Sequence, residues 1–163
     1  MPIIPPPRVP PPRRAPLFSL PPYRFVPKLY PHPLKHPEGH LYGKENLWSS
    51  FSEHSRWNIG VDLFNNHYFW EAHEVWEGLW KEKQATERDF LQSMILLSAA
   101  LLQEHLGREN ISKKSQLRAQ SLLSDTEKWS LKYQLDILAL FTAFTERSAG
   151  GPFPKMTVPH TSR

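Results

Sequence analysis

The residues best suited to chemistry lie close together, between Phe64 and Trp80. This stretch carries two histidines (His67, His73), three glutamates (Glu71, Glu74, Glu77) and three tryptophans (Trp70, Trp76, Trp80). Imidazole and carboxylate are the side chains that ligate divalent metals and carry protons near neutral pH. His73 and Glu77 are four residues apart, so on a helix they share one face and can hold one ion together. Glu74, beside them, is placed to act as a general base or as a bridging ligand. The string His73-Glu74-Val75-Trp76-Glu77 is similar to the HExxH helix of metallohydrolases, with a glutamate where the second histidine would stand. Two ligands from one helix leave a site incomplete. The candidates to complete it are His32, His36, His40, His67 and His105, with His32 and His40 on a segment that can fold over the helix. One divalent metal ion is therefore the expected cofactor, and no organic cofactor is expected.

Other chemistries have less support. A di-metal carboxylate bundle shows Glu-x-x-His on two helices, and that spacing does not occur here. With no cysteine there is neither a thiol nucleophile nor a thiolate zinc site nor a disulfide. No serine sits in a GxSxG context, and no glycine-rich phosphate loop is present. The other reading of the cluster is structural. Buried carboxylates need partners, and His73 and the glutamates can hydrogen-bond an indole, a helix end, Arg56 or Arg88 to fix how helices meet.

Proline distribution shows which part of the chain can position these residues. Fourteen of the 17 prolines lie in residues 1–46 and the other three follow Gly151. The span between is free to be helical. Charge divides at the same place. Residues 1–46 hold seven Lys/Arg against two Asp/Glu, and residues 47–163 hold thirteen against fourteen. The basic character thus belongs to the N-terminal segment. The domain has no basic stripe, so no specific nucleic-acid partner is expected. The longest apolar run, Met94–Leu102, is too short to span a bilayer, so no membrane partner is expected. Absence of cysteine fits a reducing compartment, and the protein is expected in the cytoplasm.

Three segments follow. Residues 1–16 read as a disordered or polyproline-like Pro/Arg-rich leader, either a bland tail or a PxxP ligand for an aromatic-groove domain steered by Arg13 and Arg14. Residues 17–46 read as an extended segment lying on the domain through Tyr23, Phe25, Val26, Leu29 and Tyr30. Residues 47–158 read as the helical domain.

Within it the pattern predicts an all-α, compact bundle of about five helices. The first runs from Ser52, a suitable N-cap, to Asn65, with Trp57, Val61 and Phe64 on one face. The second, His67 to Lys83, carries the cluster, with His67, Glu71 and Glu74 on one stripe. The third, Glu87 to His105, follows a capping box at Thr86–Asp89 and is apolar nearly all round, as a central helix should be. The fourth, Ser112 to Trp129, turns Leu117, Leu122, Leu123 and Trp129 inward. The fifth, Leu131 to Thr145, uses Leu135, Leu138, Phe141 and Phe144. The tail at 152–158 is expected to be extended and to pack back on the bundle. Six tryptophans and nine phenylalanines are many for so small a core, which suggests a homodimer.

Phe64-Asn65 followed by Tyr68-Phe69-x-Glu71-Ala72-His73-Glu74-x-Trp76-Glu77-x-x-Trp80 closely resembles the signature of a small all-helical family. That family is known as domain of unknown function three-hundred-nine and is often labelled "predicted metal-dependent hydrolase". The resemblance continues through Arg88-x-Phe90-Leu91-Gln92 to Asn110. The segment from Pro31-His32-Pro33 to Gly39-His40-x-Tyr42-Gly43 is similar to a leader found on some members, and Pro152-Phe153-Pro154 to the family's closing segment, so the likeness covers roughly residues 22–158. It implies a helical bundle. Through the hydrolase label it also implies functional roles for Glu71, His73, Glu74 and Glu77, with Glu71 and Glu74 as the catalytic carboxylates.

Overall fold

A computed structural model describes residues 3–44, 47–147 and 151–159. Among the described residues there are six α-helices and one 3-10 turn, Leu47–Ser50, and no strand. The helices are α1 (Glu53–Asn65), α2 (Phe69–Glu82), α3 (Ala85–His105), α4 (Glu109–Leu122), α5 (Thr126–Tyr133) and α6 (Ile137–Glu146). From α1 to α4 each helix packs on its predecessor, and α5 closes over α3. The all-α class is therefore as the pattern predicts.

The first three helices follow their sequence signals. Ser52 is the N-cap of α1, its hydroxyl accepting from the Ser55 N–H at 3.1 Å, a contact type worth about 1 kcal/mol. Trp57, Val61 and Phe64 are buried, but so are Ile59, Asp62 and Leu63, so α1 is covered nearly all round. α1 and α2 approach closely at Gly60, where a Cβ would run into the Trp76 indole. The Trp57 and Trp76 indoles stack there at 5.2 Å. α3 is the central helix: Phe90, Leu91, Met94, Leu97, Ala100 and Leu101 are all buried. Its two buried serines hydrogen-bond to its neighbours' backbones, Ser93 donating to Ala119 O at 2.8 Å and Ser98 to Phe69 O at 2.6 Å. The expected capping box at Thr86 does not form. Gln84 is the N-cap residue, and the Thr86 hydroxyl donates to Asp125 instead.

The second half departs from expectation. The single fourth helix is two helices, α4 and α5, broken at Asp125, whose φ of 51° is left-handed. Aspartate is among the few residues other than glycine that tolerate this region, so no Gly or Pro marks the break. The next helix begins at Ile137, not Leu131. Gln134 ends α5 in the left-handed region, and Asp136 caps α6 by accepting from the Ala139 N–H at 2.9 Å. These shifts rotate the faces. Leu117 and Leu138, expected inward, are 67% and 78% exposed, while Ile137, Leu140 and Phe144 are buried.

The ends of the chain bind to α1. The Asp62 carboxylate, fully buried, accepts from Arg13 Nε at 2.9 Å and from the backbone N–H groups of Arg14 and Ala15 at 2.8 Å each. The Arg14 guanidinium donates to the Tyr133 and Gln134 carbonyls at the end of α5. Arg13 and Arg14 of the Pro/Arg leader are thus engaged within the chain. At the other end, Asn65 pairs in both directions with the Met156 backbone, and Asp136 N–H donates to Thr157 O, so the tail lies back on the bundle.

Candidate functional site

The turn before α2 decides which side of that helix faces in. Asn66 closes α1, with its N–H and side-chain amide both donating to Asp62 O. His67 then takes a left-handed φ of 70°. It therefore precedes the helix instead of opening it and does not share a stripe with Glu71 and Glu74. Its Nδ1 lies 2.7 Å from Pro5 O, its ring packs on Phe69 and Phe153, and burial holds its pKa below the usual value. His67 is a joint between leader, turn and tail.

From Phe69 onward α2 turns Phe69, Ala72, Val75, Trp76 and Leu79 into the core. The acid–imidazole cluster divides around that apolar face. On the outer side His73, Glu74 and Glu77 come together, with one ligand atom from each lying within 4.8 Å of the others. His73 Nε2 is 3.2 Å from Glu77 Oε2, and the two side chains are 30% and 38% exposed. Partial burial raises the Glu74 pKa, with His73 opposing the shift and the Glu77 charge adding to it.

Glu71 lies on the other side, only 2% exposed. Its Oε1 accepts from the Phe25 N–H at 2.9 Å, and its Oε2 is buried with no hydrogen-bond partner among the described residues. Removal from water pushes its pKa up to about 7, against the backbone hydrogen bonds and the Arg24 charge, which favour ionisation.

The leader histidines do not join the outer group. His32 Nδ1 accepts from the Leu34 and Lys35 N–H groups at 3.2 Å each, capping its own turn. Its ring packs on Phe25 and Trp70, and the Trp70 indole in turn lies against His73. His40 sits edge-on to Tyr23, beside the cleft lined by Glu71, and its Nε2 is buried without a partner. Burial lowers the pKa of both rings, so each is held toward its neutral form. His36 caps a turn through Nδ1. Among the described residues, the one three-residue group able to hold a metal is His73, Glu74 and Glu77.

The arginines expected to serve a structural network are committed elsewhere. Arg56 pairs with Glu82 at 2.7 Å, and the Arg88 guanidinium stacks 4.1 Å over Trp80. The carboxylate that sequence reasoning missed is Asp62. A lone aspartate among Val61, Leu63 and Phe64 was its available signal, since a charge inside an apolar run needs partners.

Fold and site together define a small all-helical protein built around a helix with one carboxylate turned inward and an imidazole–carboxylate triad turned outward. Residues 57–115 match a family described as Domain of unknown function (DUF309), a span that takes in α1 from Trp57, all of α2 and α3, and the start of α4. The match is shorter than the 22–158 suggested by the motifs and contains all four α2 candidates. No curated protein and no solved structure matches the chain. Among the described residues no helix is long and apolar enough to cross a membrane.

Proposed function

We propose that the outer face of α2 binds one divalent cation through His73, Glu74 and Glu77, and that the reaction class it serves is hydrolysis. The observation that carries the reading is the convergence of three ligand atoms within 4.8 Å on a partly exposed surface. The donor set fits the group. Ligand atoms about 2.0–2.1 Å from a tetrahedral ion lie roughly 3.4 Å from one another, close to the 3.2 Å between His73 Nε2 and Glu77 Oε2. One imidazole with two carboxylates suits zinc, manganese or ferrous iron. A bound ion would supply Lewis-acid polarisation of a substrate oxygen and activation of water. His73 and Glu77 orient one another across one helical turn. Glu74 would complete the set as the third ligand; partial burial raises its pKa without the ion, and a bound cation would hold it ionised, so ion binding should release protons and strengthen as pH rises. His32 and His40 are not needed as ligands.

Metal analysis and calorimetric titration of the purified chain test this. One equivalent of zinc or manganese should bind, with a rise in melting temperature. His73→Ala and Glu77→Ala should each abolish binding while leaving the helical circular dichroism intact. No stoichiometric ion and no thermal shift would sink the reading. It would leave the second one, in which His73–Glu77 is a surface pair on a protein-interaction module.

A further inference from the structure

Helices α4 and α6 lie side by side without packing along each other. The start of α4 faces the end of α6, and the end of α4 faces its start, so the gap between them is a groove of two hollows in a row. The first, about 480 Å³, is lined by Lys113 and Leu117 of α4 and by Phe144 and Thr145 of α6. The second, about 370 Å³, is lined by Leu123 and Glu127 on one side and by Ile137 and Leu138 on the other. Gln120 and Phe141 line both and so mark the middle. Ile137 and Phe144 are buried and Phe141 is half-buried, which makes the floor apolar. At the rim, Leu117 and Leu138 stand 67% and 78% exposed, one at each hollow. A single exposed leucine is ordinary, but two on the rim of one apolar groove make the kind of patch that meets a partner.

The groove is its own complement under a half-turn. Each half has one hollow and one exposed leucine. A two-fold axis through Gln120 and Phe141 sets the first hollow of one copy against the second hollow of the other, so each leucine meets a hollow. A cavity of about 150 Å³ already admits benzene, so either hollow has room for a leucine side chain. Charge follows the same symmetry. Lys113 at the first hollow and Glu127 at the second are exposed, and neither makes an ion pair among the described residues. The half-turn brings Lys113 of each copy toward Glu127 of the other. The other charges of the groove are already answered: Arg147 pairs with Glu104, Asp136 caps α6, and Glu109 sits in the first turn of α4, where the helix dipole favours it. The central Gln120 amide holds both donors and an acceptor and can pair with its own copy. A foreign helix would have to match all of this at both ends, whereas a second copy matches it by symmetry. We infer that this groove is the interface of a two-fold homodimer, with Leu117 and Leu138 of each copy seated in the hollows of the other. The triad on α2 lines neither hollow and takes no part.

Sedimentation velocity and light scattering of the full chain test this, in EDTA so that no ion bridges two copies. The parent should be a dimer with a micromolar dissociation constant. Leu138→Glu should weaken it by roughly a hundredfold, since a two-fold interface carries the substitution twice, and should leave the helical circular dichroism unchanged. If that variant does not fold, Leu117→Glu is measured instead, with the same expectation. Leu131→Glu is the control: Leu131 is 64% exposed on α5 but lines neither hollow, and the dimer should persist. Lys113→Glu and Glu127→Lys should each weaken the dimer severalfold at low salt, and the two together should restore it, because the pairing between copies is then reversed in sign. A parent that stays monomeric at about 100 μM would overturn the proposal. So would a Leu138→Glu chain that dimerises like the parent, a Leu131→Glu chain that dissociates as fully, or a double charge swap that restores nothing.

Discussion

Two groups of carboxylates on neighbouring helices face opposite environments. Asp62 on α1 and Glu71 on α2 are buried and receive backbone N–H groups of the N-terminal segment: those of Arg14 and Ala15 for Asp62, and that of Phe25 for Glu71. Glu74 and Glu77, one and two turns further along α2, face outward and pair at most with His73. The residue type is the same, or nearly so, and the helix is continuous. What differs is the element across from them. An extended segment brings unpaired N–H donors, which a helix does not, and a carboxylate is the acceptor that satisfies two or three of them at once. The buried pair therefore holds the segment down. The outer pair has no such neighbour, and its lone pairs face solvent, where the proposed cation would bind.

The largest test of this contrast is Asp62→Ala. It strands Arg13 Nε and the N–H groups of Arg14 and Ala15 together. Breaking a buried charge pair of this kind costs about 3 kcal/mol or more. Urea denaturation should show that loss, and limited trypsin digestion should cut at Arg13 and Arg14 far faster than in the parent chain. Unchanged protection of those arginines would show that the carboxylate does not hold the segment.

Next in size is the pH dependence set by Glu71. Its pKa is about 7 in the folded chain against 4.5 for the ordinary side chain. Below both values the group is protonated in either state, and its charge costs nothing. Between them the folded state keeps a proton that the unfolded state has lost, so stability falls as pH rises through this window. From pH 5 to pH 8 the fall should be roughly 2 to 3 kcal/mol, at 1.36 kcal/mol per pKa unit. Glu71→Gln should remove most of that slope, measured by urea unfolding at the two pH values. The parent slope persisting in the variant would assign it to another group.

How much of this was legible in the chain depends on where the signal resides. Helix α2 and its membership in one dense cluster follow from residue types and 3.6-residue spacing alone. The division of that cluster does not. Glu71 and Glu74 differ by three positions, which puts them on one stripe by spacing, and only the turn at His67 and the segment at Phe25 settle which of the two is covered. Asp125 and Gln134 hid the break between α4, α5 and α6 because they hold left-handed backbone without being glycine. Asp136 was a readable N-cap, passed over because Leu131 and Leu135 prolong the apolar pattern across it. The leader gave the weakest signal, since Arg13 finds an acceptor 49 residues away and the Arg14 guanidinium one 120 residues away, a pairing no local pattern encodes.

The smallest expected effects lie on the outer face, and their smallness is informative. An exposed His–Glu pair at i,i+4 contributes only about 0.2–0.5 kcal/mol, reduced further by salt. In metal-free buffer Glu77→Gln should therefore change stability by less than about 0.5 kcal/mol, well below either inner-face variant. With zinc present, the parent should gain a stabilisation that grows with the logarithm of ion concentration above the dissociation constant, and the variant should gain little. The comparison breaks if Glu77→Gln costs as much without metal as Asp62→Ala does. That outcome would make the outer carboxylates structural like the inner ones, bound to a neighbour in place of an ion. A small metal-free cost with a large metal-dependent difference would mean that the outer face is conserved in energy for its ligand alone, because nothing in the fold draws on it.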